Sequence, residues 1–134
     1  MTNAKQIALE ILESEHIGVM VTNQEGRPIA NYMTFQNEGF DLFTLMQQDT
    51  LAKLKNNHTH ILLGYENENT FETFIEYEGL YTESDNVQIA QKLHDLYPVA
   101  SAEQYTLLQI RPNRIRIMNK AGENQEEIIF NDTL

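Results

Sequence analysis

The apolar positions of the chain follow two periods, and the change from one to the other marks its elements. Near the N-terminus Ala4, Ile7, Ala8, Ile11 and Leu12 recur at i, i+3, i+4, i+7 and i+8. That spacing lays one apolar stripe along a helix over Ala4–Ser14, and Asn3 stands where an N-cap is needed. From Ile17 the period drops to two. The strand Ile17–Thr22 alternates Ile17, Val19 and Val21 with Gly18, Met20 and Thr22, so both faces are nearly apolar, as in a central strand. Gln24-Glu25-Gly26 then turns the chain, because glycine reaches positive φ at no steric cost. The strand Ile29–Gln36 puts Ile29, Asn31, Met33 and Phe35 on one face and Ala30, Tyr32 and Thr34 on the other. Asn37-Glu38-Gly39 supplies a second turn, into a strand over Phe40–Met46.

A short helix follows at about Thr50–Asn57, with Asp49 as its N-cap and Leu51 and Leu54 turned inward. A strand over His60–Tyr65 and an acidic loop, 66–69, lead to a long strand over Phe71–Thr82, in which Gly79 marks a bulge or bend. The next helix opens near Ser84 or Asp85, carries Ile89, Ala90, Leu93, Leu96 and Tyr97 on one side, and stops at Pro98. Segments 105–111 and 114–118 read as a hairpin around Pro112-Asn113, and a weaker strand is expected over Glu127–Phe130. Short strands with two or three helices, and no repeat or linker, predict one α+β domain, mainly β, spanning residues 1–134. Periodicity leaves a closed barrel and an open antiparallel sheet as alternatives.

Composition narrows the function classes. The 134 residues, 41% of them hydrophobic, suffice for one core without staples. No apolar run approaches the roughly 18 residues that cross a bilayer, and the amphipathic, acid-bearing N-terminus does not read as a signal peptide. The absence of cysteine removes disulfides, thiolate nucleophiles and cysteine-ligated metals. A net charge of −11 repels nucleic-acid backbone and anionic membranes, and no basic run offsets it. A cytoplasmic protein with no nucleic-acid and no membrane partner is therefore expected. Nucleophile-elbow, P-loop and zincin motifs are absent from the sequence, and the sequons at 57–59 and 131–133 carry no meaning without secretion.

Three groups of side chains invite a chemical reading. His58 and His60 share a strand face, but a metal needs a third and usually a fourth ligand, and His16 and His94 lack ligand spacing, so no metal is expected. Glu72, Glu76 and Glu78 alternate with Thr73, Ile75 and Tyr77 and read as an outward strand face. Arg111, Arg114 and Arg116 are three of the four arginines, gathered within six residues. They form either a charged, solvated edge or an anion site.

The order of elements from Ile17 to Met118 carries a resemblance. Gly26-Arg27-Pro28 opens the second strand, Met33-Thr34-Phe35 and Leu42-Phe43-Thr44 follow, then a polar helix start, Leu54 and Asn57. A long strand, a helix ending at proline and a terminal hairpin complete the order. This resembles the pyridoxamine 5′-phosphate oxidase-like FMN-binding split barrels, in particular their small, general stress protein 26-like members. The resemblance implies an antiparallel split β-barrel with flanking helices, a homodimer with FMN at its interface, an oxidoreductase activity on an unidentified substrate, and a part in stress response. The flavin supplies the redox chemistry in such proteins while the chain orients it, and no residue here is nominated as acid or base.

In such proteins a basic residue on the second strand and another at the start of the following helix hold the phosphate. Matched residue by residue, these positions fall on Asn31 and Thr50, neither of them charged. Each charge-assisted hydrogen bond forgone is worth roughly 1.5–3 kcal/mol. Thr44, Gln48 and Thr50, the free N–H groups of the helix start, and Lys53 at i+3 from Thr50 work in the opposite direction, while Asp49 competes for those N–H groups. The resemblance thus places Asn31, Met33, Thr34, Thr44, Thr50 and Lys53 around an FMN, with Arg116 reaching an anion bound by the partner chain. Genuine pyridoxamine 5′-phosphate oxidation is not expected, since the chain is short and the basic substrate-phosphate residues are not matched near its C-terminus. A second reading is a non-catalytic split-barrel dimer that has lost FMN and binds another small ligand or a protein partner. A third is a heme- or metal-binding stress protein using His58 or His60.

Overall fold

The computed structural model describes residues 3–64, 73–96, 104–119 and 123–130. The acidic loop, the expected strand start at Phe71, the helix stop at Pro98 and the second sequon lie outside the described residues. Helix α1 spans Ala4–Ser14. The Asn3 side chain accepts from the Gln6 N–H at 2.9 Å while the Gln6 side chain accepts from the Asn3 N–H at 3.1 Å, a reciprocal capping box. Its apolar stripe, Ala8, Ile11 and Leu12, is buried.

Strands β1 (Ile17–Gln24) and β2 (Arg27–Thr34) form a hairpin whose two turn residues, Glu25 and Gly26, both take positive φ, 55° and 85°. That turn matches the right-handed twist of its strands, and Asn23 Oδ1 holds it by accepting the Gly26 N–H at 2.9 Å. β2 ends at Thr34 rather than Gln36 because the buried Phe35 donates its N–H to the His16 carbonyl and carries the chain across to β3 (Gln36–Glu38). Two residues read as turn, Asn37 and Glu38, therefore belong to a strand, and Gly39 (φ 59°) makes the turn into β4 (Asp41–Gln47).

The helix expected over Thr50–Asn57 is only one turn, α2, Gln48–Leu51. Gln47 is its N-cap, without a side-chain bond, so Asp49 does not cap it. The reason is a contact distant in sequence: the Lys53 carbonyl accepts the Glu25 N–H, and the Lys55 N–H donates to the Asn23 carbonyl. The backbone that would have continued the helix instead clasps the β1–β2 turn. Next come β5 (His58–Leu63), β6 (Thr73–Glu83) and α3 (Val87–Leu96). α3 opens at Val87, a little after the expected Ser84 or Asp85, and Asn86 caps it, its Oδ1 accepting the Ile89 N–H at 3.1 Å.

The expected hairpin at Pro112-Asn113 is one continuous strand, β7 (Tyr105–Asn119), followed by β8 (Asn124–Ile129). Pro112 sits at a bulge rather than a turn: Glu78 pairs with Arg114 and Gly79 with Pro112, which leaves Asn113 without a β6 partner. A proline has no N–H to give a ladder, so a strand carries it best at such a break.

All pairs are antiparallel, in the order β2-β1-β5-β6-β7-β4-β3, with β8 on β7. β2 and β3 stand at opposite ends of that order, yet only Phe35 separates them in the chain, so the sheet must curl back on itself. The Thr44 hydroxyl donates to the Thr34 carbonyl at 2.8 Å and fastens the closure. The result is a curled, mainly antiparallel half-barrel with three helices, a split barrel, rather than an open sheet. Its core holds Met20, Phe35, Leu42, Tyr77 and Ile115, joined by the buried stripe of α1. α3 covers the outer face, with Ile89 and Leu93 packed near Phe43 and Leu107. Among the described residues no helix is long and apolar enough to cross a membrane.

Candidate functional site

The closure of the barrel leaves a seam. Between the Thr34–Thr44 hydrogen bond and the bridge from Gln24 to Leu54, β2 pairs with β1 alone among the described strands. Alternation along the strands sets which residues share a face. Tyr32 and Thr34 lie on the register of Val19 and Ile17, whereas Asn31 and Met33 lie opposite the buried Met20 and Gly18. Leu45 pairs with Leu107, and Gln47 with Tyr105. α3, seated on Phe43 and Leu107, brings Leu93 to the same side.

Together Ile17, Tyr32, Met33 and Thr34 on one bank and Leu45, Leu93 and Tyr105 on the other enclose a groove of about 360 Å³. That lies at the lower end of the size range of small-molecule and cofactor sites, which are mostly apolar with a few placed polar groups. The polar groups of its side chains are the Tyr32, Thr34 and Tyr105 hydroxyls, and Gln47 Nε2 donates to the Tyr105 hydroxyl at 3.4 Å. No lining residue carries a formal charge.

Of the six residues nominated from the sequence, two belong to the groove lining and four do not. Met33 and Thr34 line the groove. Thr44 is fully buried with its hydroxyl committed to the Thr34 carbonyl. Asn31 is exposed two residues further along β2. Thr50 lies in α2, its carbonyl accepting the Lys53 N–H at 3.0 Å, and the exposed Lys53 stands beside the β1–β2 turn, its carbonyl accepting the Glu25 N–H. Sequence reasoning missed Ile17, Tyr32, Leu45, Leu93 and Tyr105. They come from five elements, and no spacing links them.

The arginines face elsewhere. Arg114 and Arg116 lie on the outward face of β7, each bound to a glutamate of β6, Arg114 to Glu78 and Arg116 to Glu76. Glu78 also meets His60 at 3.1 Å, and Glu127 of β8 lies 3.8 Å from Arg114. Burial pushes the Glu78 carboxyl up, but the hydrogen bond and charge of Arg114, with His60, outweigh it and hold the group below its ordinary range. The bond to Glu76 holds the Arg116 guanidinium above its ordinary value. Within one protomer Arg116 stands eleven residues along β7 from Tyr105, about 36 Å of extended strand, so it does not reach this groove. His60, Glu76 and Glu78 present ligand atoms within 4.8 Å of one another. Both carboxylates already hold guanidinium groups, and His58 is not among them.

The comparisons with known proteins agree with this geometry. No family model matches the chain. General stress protein 26 of Bacillus subtilis is 31% identical over 127 residues, which cover 89% of this chain and 90% of that protein. A solved Listeria innocua protein, assigned as a pyridoxamine 5′-phosphate oxidase, is 30% identical with a TM-score of 0.68, over 86% of this chain and 96% of that one. General stress protein 26 of Bacillus anthracis superposes with a TM-score of 0.73 at 22% identity, over 93% and 99% of the two chains. The same fold recurs at lower identity in an F420 reductase, 19% identical over 86% and 98% of the two chains, with a TM-score of 0.65. A FAD-binding protein of Mesorhizobium loti, 10% identical over 85% and 92%, also has a TM-score of 0.65.

Proposed function

The chain belongs to the pyridoxamine 5′-phosphate oxidase-like split-barrel family, and on that premise we propose that it is a cytoplasmic, homodimeric flavoprotein that binds FMN across the seam of its barrel and serves an oxidoreductase reaction. The groove carries this reading: a mostly apolar cleft of about 360 Å³ at the seam, with the Tyr32, Thr34 and Tyr105 hydroxyls as its polar points. Solved relatives of the same fold that bind FAD or act on F420 support a flavin or a flavin-like ring as its occupant. Tyr32, Met33, Leu45 and Tyr105 exclude water from such a ring, Thr44 holds Thr34 in place, and Asn31, Thr50 and Lys53 turn toward the phosphate. FMN, once bound, supplies hydride or electron transfer, and the chain's part is to orient and desolvate it.

The neutral lining favours one other reading. A groove without a cation, in a chain of net charge −11, suits a scaffold that has given up FMN and holds a different small ligand or a protein partner. Titration of the apoprotein with FMN and, separately, with riboflavin, followed by quenching of flavin fluorescence, separates the two. The expected result is an FMN Kd tighter than about 100 μM, some −5.5 kcal/mol. Failure to saturate in that range for either flavin overturns the flavoprotein in favour of the flavin-free scaffold.

A further inference from the structure

His58 and His60 take no part in the seam groove, and the sequence alone gives them no third ligand. The fold supplies one. Between them Thr59 is buried, its hydroxyl donating to the Val21 carbonyl at 2.8 Å. Alternation then sends His58 and His60 together to the outer face of the sheet, where both are exposed. There they line a depression of about 210 Å³ with Asn56, beside Val21 and Pro28 of the β1–β2 hairpin. Asn56 is fixed at both ends: its carbonyl accepts the Tyr81 hydroxyl at 2.6 Å, and its Oδ1 accepts the His58 N–H at 3.0 Å. An amide oxygen has two lone pairs, so one remains for a ligand. His60 is oriented from its other side. Its Nε2 lies 3.1 Å from Glu78 Oε1, while Glu78 Oε2 accepts from Arg114. A carboxylate that holds a guanidinium only accepts, so in the neutral ring Nε2 carries the proton and Nδ1 keeps its lone pair. Donation from one ring nitrogen to a carboxylate is the usual setting of a histidine whose other nitrogen binds a metal. The charge of −11 over the whole chain draws cations toward it.

We propose that this outer-face depression binds a divalent transition metal of the zinc class, through His60 Nδ1, a ring nitrogen of His58 and Asn56 Oδ1, with water completing the coordination. Two imidazoles and an amide oxygen form a donor set that suits zinc, whereas magnesium takes oxygen ligands and waters. Glu78 acts through His60 as a positioning residue. The site stands on its own residues and does not require that flavin occupy the seam groove.

The test uses the untagged 134-residue chain, Zn²⁺ as probe and Mg²⁺ as the hard-cation control, and follows the histidine ring nitrogens by long-range proton–nitrogen NMR. Without metal the His60 ring is expected as the Nε2–H tautomer. An equimolar amount of Zn²⁺ is expected to shift His60 Nδ1 and one ring nitrogen of His58 and to leave His16 and His94 in place, while Mg²⁺ shifts none. His58→Ala and His60→Ala are each expected to weaken zinc about tenfold or more. Asn56→Asp keeps the acceptor for the His58 N–H and adds a charge, so zinc is expected to bind about fivefold tighter or more. Zinc that settles on His16 or His94, an equal response to Mg²⁺, an affinity untouched by His58→Ala, or no gain from Asn56→Asp overturns the proposal. Zinc on His60 Nε2 overturns it too, since the ion would then sit among Glu76 and Glu78 in place of the arginines. The spectra of the unsubstituted chain need no variant, so a poorly folded one does not obscure them. Failure to bind flavin counts against the flavoprotein reading and not against this site.

Discussion

The flavoprotein reading assigns the phosphate to Asn31 and Thr50, an amide and a hydroxyl where a basic side chain would meet a phosphate dianion directly. Neutral donors hold phosphate oxygens with about half the strength of charged ones, so on that reading the flavin ring would carry most of the affinity. Asn31→Arg restores one charge-assisted bond, worth roughly 1.5–3 kcal/mol. FMN affinity is expected to rise about tenfold or more while riboflavin affinity stays put, which paired fluorescence titrations check. Thr44 makes a different contribution, since its hydroxyl is spent on the Thr34 carbonyl. Thr44→Val keeps the volume and strands that carbonyl, at a cost of about 1–3 kcal/mol, read as a lowered urea midpoint with an unchanged slope. At Glu78 the depressed pKa means that the folded chain binds this proton less readily than the unfolded one. The stabilisation is therefore present above the unfolded glutamate range, about pH 4.3, and is lost as pH falls through the lower folded value. The stability gap between the wild type and Arg114→Gln is expected to be widest near neutrality and to close on acidification, in urea melts run at a series of pH values.

Among the elements, α1 was legible to its last residue because its stripe and its Asn3 cap agree, and the β1–β2 hairpin because Glu25-Gly26 leaves the backbone one choice. The readings that failed share a cause. Pro112-Asn113 has the composition of a turn, but β6 and β8 flank β7 on both sides and hold it extended through the bulge. The α2 segment carries helical spacing, yet its carbonyl and amide groups are taken by the β1–β2 turn. Local pattern loses wherever a distant element offers the backbone better partners. The groove was illegible for the same reason, because Tyr32, Leu45, Leu93 and Tyr105 meet only once the sheet has curled. Gly79 was marked as a bend, and the structure supplies the reason: a Cβ there would lie 2.5 Å from the Arg111 carbonyl oxygen and 3.0 Å from Ile110 Cγ2. Gly79→Ala is expected to cost about 1–3 kcal/mol by overpacking, seen as a lower thermal midpoint. A midpoint equal to the wild type would mean that the bulge yields without strain.

At the scale of the whole molecule, the bank of the seam groove is unusually apolar for a surface. Ile17 is 61% exposed and Tyr32 68% exposed, diagonal neighbours near the open end of the β1–β2 hairpin, where Ile17 pairs with Thr34 and Tyr32 with Val19. A second copy of the chain would cover both, and a twofold axis requires the patch to be complementary to itself. Ile17→Glu sets a like charge against its own image across that axis. In sedimentation equilibrium the wild type is expected at twice 15.5 kDa and the variant at 15.5 kDa; a dimeric variant would move the interface to another face. Salt provides an independent check on what drives the association. Each protomer brings a charge of −11, so the two repel at long range, and this repulsion is screened as the Debye length shrinks from about 30 Å at 0.01 M to about 8 Å at 0.15 M. An interface built on Ile17 and Tyr32 gains from that screening and should tighten as salt rises. One held by the arginine and glutamate ladder of β6 and β7 would loosen instead, so the sign of the salt dependence tells which face the partner covers.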